Sequence, residues 1–132
     1  MGKEQAKGMT RPYIAHVKPA MVLEKSITAL LPQRLYNGSV EEVIEYVLNK
    51  PEMKVDERRV AGRVRDEMVD PNYQVIVNGQ QLPRTESVEQ FYVADSFYDE
   101  EDRQMYEYNK LEIIVSRPVQ EGGLSQDRDN KQ

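Results

Sequence analysis

The reading of the fold turns on Ser39-Val40-Glu41-Glu42-Val43-Ile44-Glu45-Tyr46-Val47-Leu48, which follows Asn37-Gly38 and stops short of Pro51. Ser39 with Glu42 three residues on forms a capping box: the hydroxyl takes a free backbone N–H of the first turn and the carboxylate reaches back to the cap. Val40, Val43, Ile44, Val47 and Leu48 recur at i, i+3, i+4, i+7 and i+8. They make one apolar face, with Glu41, Glu42 and Glu45 turned to water. Pro51 ends the helix. Such a stripe is stable only when it is buried against another element.

Working outward, Tyr13-Ile14-Ala15-His16-Val17 is short, apolar-rich and bounded by Pro12 and Pro19, and reads as a strand. Residues 25–31 read as a second strand closed by Pro32. Helix stays open for 20–31, because alanine and leucine are good helix formers. Downstream, 56–69 reads as a second helix: Asp56 caps it, Val60, Val64 and Met68 share a face, and Pro71 ends it. Gly62 weakens it by about 1 kcal/mol relative to alanine. The charge on its other faces suggests a surface helix. Residues 73–79 form a strand entering an Asn78-Gly79 turn, and 111–115 form a last strand ended by Pro118. Residues 85–109 lack a clear period. Val88, Phe91, Tyr92, Val93, Phe97 and Tyr98 are expected to bury there, in a short strand or helical turn. Two N-terminal strands make a hairpin, and the helix after them crosses to a mixed sheet. That is an α+β domain of the β-grasp type, with an inserted second helix.

The chain has 132 residues, enough for one domain with its own core. Its net charge of −5 disfavours a mainly nucleic-acid-binding role. It has no cysteine, which removes disulfides, thiolate metal sites and a cysteine nucleophile together. No apolar run approaches the ~18 residues of a membrane span, and the first residues lack the apolar stretch of a signal peptide. Gly2 invites N-myristoylation, but position 6 is Ala rather than Ser or Thr. The expectation is a cytoplasmic protein with a disordered tail over 1–11, a folded domain over 12–119 and a flexible tail over 120–132.

The order of three features carries a resemblance. The capped helix Ser39–Ile44 is followed by Val75-Ile76-Val77-Asn78-Gly79. Then comes Lys110-Leu111-Glu112-Ile113-Ile114-Val115-Ser116-Arg117-Pro118-Val119, and after it Gly122-Gly123. This resembles the ubiquitin-like sulfur-carrier family, the small subunit of molybdopterin synthase and the thiamine-pathway carrier. The resemblance spans about 12–123 and rests on order and spacing. It implies that Gly123, with Gly122 before it, is activated as a C-terminal carboxylate and becomes a thiocarboxylate. Glycines suit a tail threading a narrow channel because they carry no Cβ. The implied partners are an adenylating enzyme of the ubiquitin-activating type, which uses ATP, a processing protease and a sulfur-acceptor enzyme. The carrier binds no cofactor and no metal and supplies no catalytic residue. Arg117, Pro118 and Val119 would meet the partner as the strand leaves the sheet. Four departures stand out: nine residues follow Gly123, two residues rather than one separate Val119 from Gly122, the chain carries insertions at 52–72 and 82–108, and Tyr106-Glu107-Tyr108-Asn109-Lys110 stands where the family has an acidic turn.

Each candidate has a plainer reading. Gly122-Gly123 also suits a flexible linker, and Arg117 a solvated surface. His16 is the only histidine and has no triad companions at motif spacing. Asp95 and Asp99-Glu100-Glu101-Asp102 offer oxygen ligands to a hard cation but lack EF-hand spacing, so a solvated loop is preferred. Arg58, Arg59, Arg63 and Arg65 lie among Glu57, Asp66 and Glu67, a mixed face rather than a phosphate-binding ridge. Three functions follow: a carrier or modifier precursor, a non-catalytic adaptor or accessory subunit, and, least favoured, a nucleic-acid-associated regulator. An enzyme acting alone is not expected. The carrier reading expects 120–123 exposed and extended beyond the sheet; the adaptor reading expects an ordered tail, or an exposed apolar patch on the sheet or the aromatic segment.

Overall fold

The computed structural model describes residues 11–22 and 24–118. Of the two expected tails only Arg11 falls inside, ion-paired to Glu107 at 3.1 Å; the rest lies outside the described residues. The fold is mixed α+β. Six strands form one mixed sheet: β1 Tyr13–Pro19, β2 Ile27–Leu30, β3 Gln74–Val77, β4 Gln80–Leu82, β5 Val93–Asp99 and β6 Gln104–Ser116. Among the described residues two α-helices accompany them, α1 Val40–Leu48 and α2 Val55–Met68, with short 3-10 turns at Gln33–Leu35 and Glu89–Phe91. The choice left open for 20–31 falls to strand, over Ile27–Leu30.

The sheet order is β2-β1-β6-β3-β4, with β5 paired to β6 off that path. β1 and β6 run parallel at the centre, Ala15 opposite Leu111 and Val17 opposite Ile113. The other pairings are antiparallel. Strand alternation sorts the residues. Ala15, Val17, Ile27, Ala29, Val75, Val77, Leu111, Ile113 and Val115 are buried. Their neighbours His16, Lys18, Thr28, Gln74 and Glu112 are not.

Both helices pack on the buried side. The expected stripe of α1 is buried throughout, and each such aliphatic contributes roughly 1.5–3 kcal/mol. The capping box forms as read: Ser39 Oγ accepts from the Glu42 N–H at 3.1 Å, and Glu42 Oε1 accepts from the Ser39 N–H at 2.9 Å. Helix α2 starts one residue earlier than expected, and Asp56 is not its cap. Instead the Lys54 N–H donates to Glu57 Oε1 at 3.2 Å. Nor is α2 merely a surface helix, since Val60, Ala61 and Val64 join the core. Its Arg65 donates to the Leu48 carbonyl at 2.6 Å, closing the C-terminus of α1.

The segment 85–109 departs most from expectation. Val88 is buried, and Phe91 and Tyr92 pack against the core. Val93, Phe97 and Tyr98 do not bury; each is about half exposed (51–52%). The reason is β6. It runs to Gln104 rather than beginning at Leu111, and its first half pairs with β5 into a two-stranded ribbon. β1 joins β6 only from Asn109, and β3 only from Ile113. The ribbon therefore extends past the core, and no residue of β5 is buried.

Candidate functional site

The sequence points to the place where β6 leaves the sheet. Arg117 and Pro118 are described there; Val119, Gly122 and Gly123 lie outside the described residues. Ser116 is the last strand residue, paired with Gln74. One step on, the Arg117 N–H donates to Glu67 Oε1 at 2.8 Å, and the Arg117 Nε lies 3.8 Å from the same oxygen. Glu67 is the one buried charged side chain among the described residues, at 7% exposure. Its carboxylate thus holds the main chain of the strand exit, while the guanidinium stays largely in solvent. A charge-assisted bond from a backbone N–H is stronger than a neutral one. So α2 holds the backbone at Arg117, where β6 leaves the sheet.

The sequence places Glu67 on the mixed charged face of the helix, whereas it is buried. The signal was present, since Glu67 stands seven residues after Val60 and three after Val64, on the buried face of α2. A carboxylate at such a position implies a buried partner.

The remaining candidates stay apart. His16 lies across the sheet, its Nδ1 2.9 Å from Thr28 Oγ1 and Glu112 opposite it on β6. Burial, reinforced by Lys110, holds its imidazole below the ordinary value. No serine–aspartate set accompanies it among these contacts. Arg58 and Arg65 donate to backbone carbonyls of the chain itself, which removes half of the basic helix from outside use. The acidic turn Asp99–Asp102 gathers no ion-binding group: among the described residues no cluster of three or more His, Asp or Glu could hold a metal. No helix among them is long and apolar enough to cross a membrane.

The ribbon is the second feature of the surface. Phe97 and Tyr106 stack across the strands with centroids 5.5 Å apart, and Tyr108 meets Phe97 edge-on at 6.1 Å. Tyr108 Oη donates to Asp95 Oδ2 at 3.1 Å, and Tyr106 Oη donates to Asp102. The Ser96 N–H and the Tyr108 hydroxyl hold the Asp95 carboxyl below the usual carboxylate range. The bond to Asp102 holds the Tyr106 phenol above its usual value.

Compared with known proteins, the chain matches no family model, no curated protein and no solved structure.

Proposed function

We propose that this chain is a β-grasp protein of the ubiquitin-like kind, a carrier or modifier precursor that is acted on by its partners rather than a catalyst. One observation carries the reading. The first and last strands run parallel at the centre of the order β2-β1-β6-β3-β4, with the capped helix crossing between the N-terminal hairpin and β3. The hairpin, the helix that follows it and the mixed sheet support a β-grasp reading, with α2 lying within 52–72 and β5 within 82–108. The final strand then delivers the chain beyond Ser116 toward Gly122-Gly123.

In this reading a protease cuts after Gly123 and an adenylating enzyme joins the new carboxylate to AMP from ATP, releasing pyrophosphate. Hydrosulfide, supplied as the co-substrate, then displaces AMP to leave a thiocarboxylate for an acceptor enzyme, or an amine displaces AMP to leave an amide. The chain supplies the terminus and the docking surface. Glu67 keeps Arg117 fixed, so the terminal segment starts from a defined place. The test is an extract of the native cells, supplied with ATP and a chain ending at Gly123. Sulfur or conjugate at Gly123, lost when Gly123→Trp is used instead, supports the reading; an inert Gly123 chain removes it.

A second reading, a non-catalytic adaptor, is favoured by the exposed aromatics of the ribbon. It leaves Gly122-Gly123 as a linker.

A further inference from the structure

The β5–β6 ribbon has four properties that rarely occur together without a use. It is apolar where it meets water: Val93, Phe97, Tyr98, Met105 and Tyr106 are five of the nine exposed large hydrophobics among the described residues. It is ordered, because the Phe97–Tyr106 stack and the Tyr108–Asp95 bond tie the two strands together. It has an open edge: among the described residues β5 pairs with β6 alone, over seven residues, against three in β4 and four in β2. It is acidic. Residues 93–110 hold six carboxylates against Arg103 and Lys110, which is four of the chain's five net negative charges.

An exposed edge strand is a template for another strand, and proteins usually blunt it with lysine, proline or a bulge. β5 has neither lysine nor proline. Its charges are Asp95 and Asp99, followed by Glu100, Glu101 and Asp102 at the tip. Two copies of this chain brought ribbon to ribbon would repel. Nucleic acid and anionic lipid are refused on the same ground. The charge admits a cationic strand. We infer that the ribbon is a docking arm for a lysine- or arginine-rich extended segment of a protein partner, which adds to the open edge of β5. Backbone bonds to the edge give the affinity, the carboxylates select the basic side chains, and the Phe97–Tyr106 face takes their aliphatic stems and charged heads. Because the ribbon is already ordered, less entropy is lost on binding.

The inference gives the adaptor reading a partner chemistry and does not depend on the fate of Gly123. Its test reads binding directly, whereas the adaptor reading fails separately, if the native chain proves to be processed at Gly123. The full chain, labelled for amide NMR, is titrated with a short peptide alternating lysine with valine, and with its glutamate–valine counterpart. The expected result is shifts concentrated in 93–110 with the lysine peptide, none with the glutamate peptide, and weakening as salt is raised. Phe97→Ser, and separately Glu100→Gln with Glu101→Gln, should each weaken binding by about tenfold while the core amide pattern is unchanged. Shifts centred on another surface, equal binding of both peptides, no binding, or an effect of charge with none of Phe97→Ser would each overturn it.

Discussion

Asn78 and Glu112 exchange two hydrogen bonds across the sheet. The Asn78 N–H donates to the Glu112 carbonyl at 2.8 Å, and the Glu112 N–H donates to Asn78 Oδ1 at 2.8 Å. The Asn78 side-chain amide also donates to the Phe91 carbonyl. Asn78 adopts φ 47° and Gly79 φ 86°, the pair of left-handed residues of a tight hairpin turn. The β3–β6 ladder ends at Val77–Ile113 and the β5–β6 ladder begins at Val93–Lys110. Asn78 fills the gap between them on that side of β6, tying the end of β3 to Phe91 just before β5.

Asn78→Ala should therefore cost about 2–4 kcal/mol, the sum of an orphaned backbone N–H and a strained φ. Asn78→Gly relieves the strain alone and should lie between that variant and the parent. Denaturant unfolding reads the stability, and amide exchange at Glu112 reads the lost bond. Equal stability of all three proteins would remove Asn78 from this role.

Glu67→Ala leaves the Arg117 N–H without its acceptor and should destabilise by about 1–3 kcal/mol. Glu67→Gln keeps an oxygen in place and should recover most of the loss. The Arg117 amide should exchange faster in the alanine variant than in the glutamine variant. Unchanged exchange at Arg117 in both would show that the strand exit is held by other means.

Tyr92 packs against the core with its ring edge-on to Tyr13 at 4.6 Å. Its hydroxyl has no hydrogen-bond partner among the described residues, and burial pushes its pKa well above the ordinary value. Tyr92→Phe should raise stability by about 1 kcal/mol. A loss of stability on that change would mean that the hydroxyl is satisfied.

Stability should also follow His16. Its folded pKa lies below the unfolded value of 6.5, by burial first and the Lys110 charge second. The neutral ring is thus favoured by folding. Stability is full above pH 6.5, declines as the unfolded chain takes up a proton below it, and levels off once the folded imidazole titrates. His16→Asn should flatten this step and leave the lower-pH decline of the carboxylates, Asp95 among them. A histidine variant with the same profile as the parent between pH 5 and 7 would contradict the assignment.

Much of the sheet and both helices were legible because one face of each is buried and the other wet. Val40 to Leu48 shows a clean period of 3.6, and Leu111, Ile113 and Val115 alternate into the core. The ribbon was not legible for the converse reason. Met105, Glu107 and Asn109 on one face and Tyr106, Tyr108 and Lys110 on the other are all at least partly exposed, so no face is uniformly apolar. An aromatic such as Phe97 reads as core from sequence alone, whereas cross-strand stacking on Tyr106 keeps it ordered in water. At the strand exit the sequence indicates Arg117, but its partner Glu67 lies 50 residues away and emerges only from the packing of α2.

The central claim is that the chain is made to be activated at Gly123, and the most direct measurement is the intact mass of the protein recovered from its native cells. The account predicts a chain ending at Gly123, with a fraction in which one terminal oxygen is replaced by sulfur or the carboxylate is joined to an amine. A chain running reproducibly through Gln132 would contradict it and leave the adaptor reading in its place.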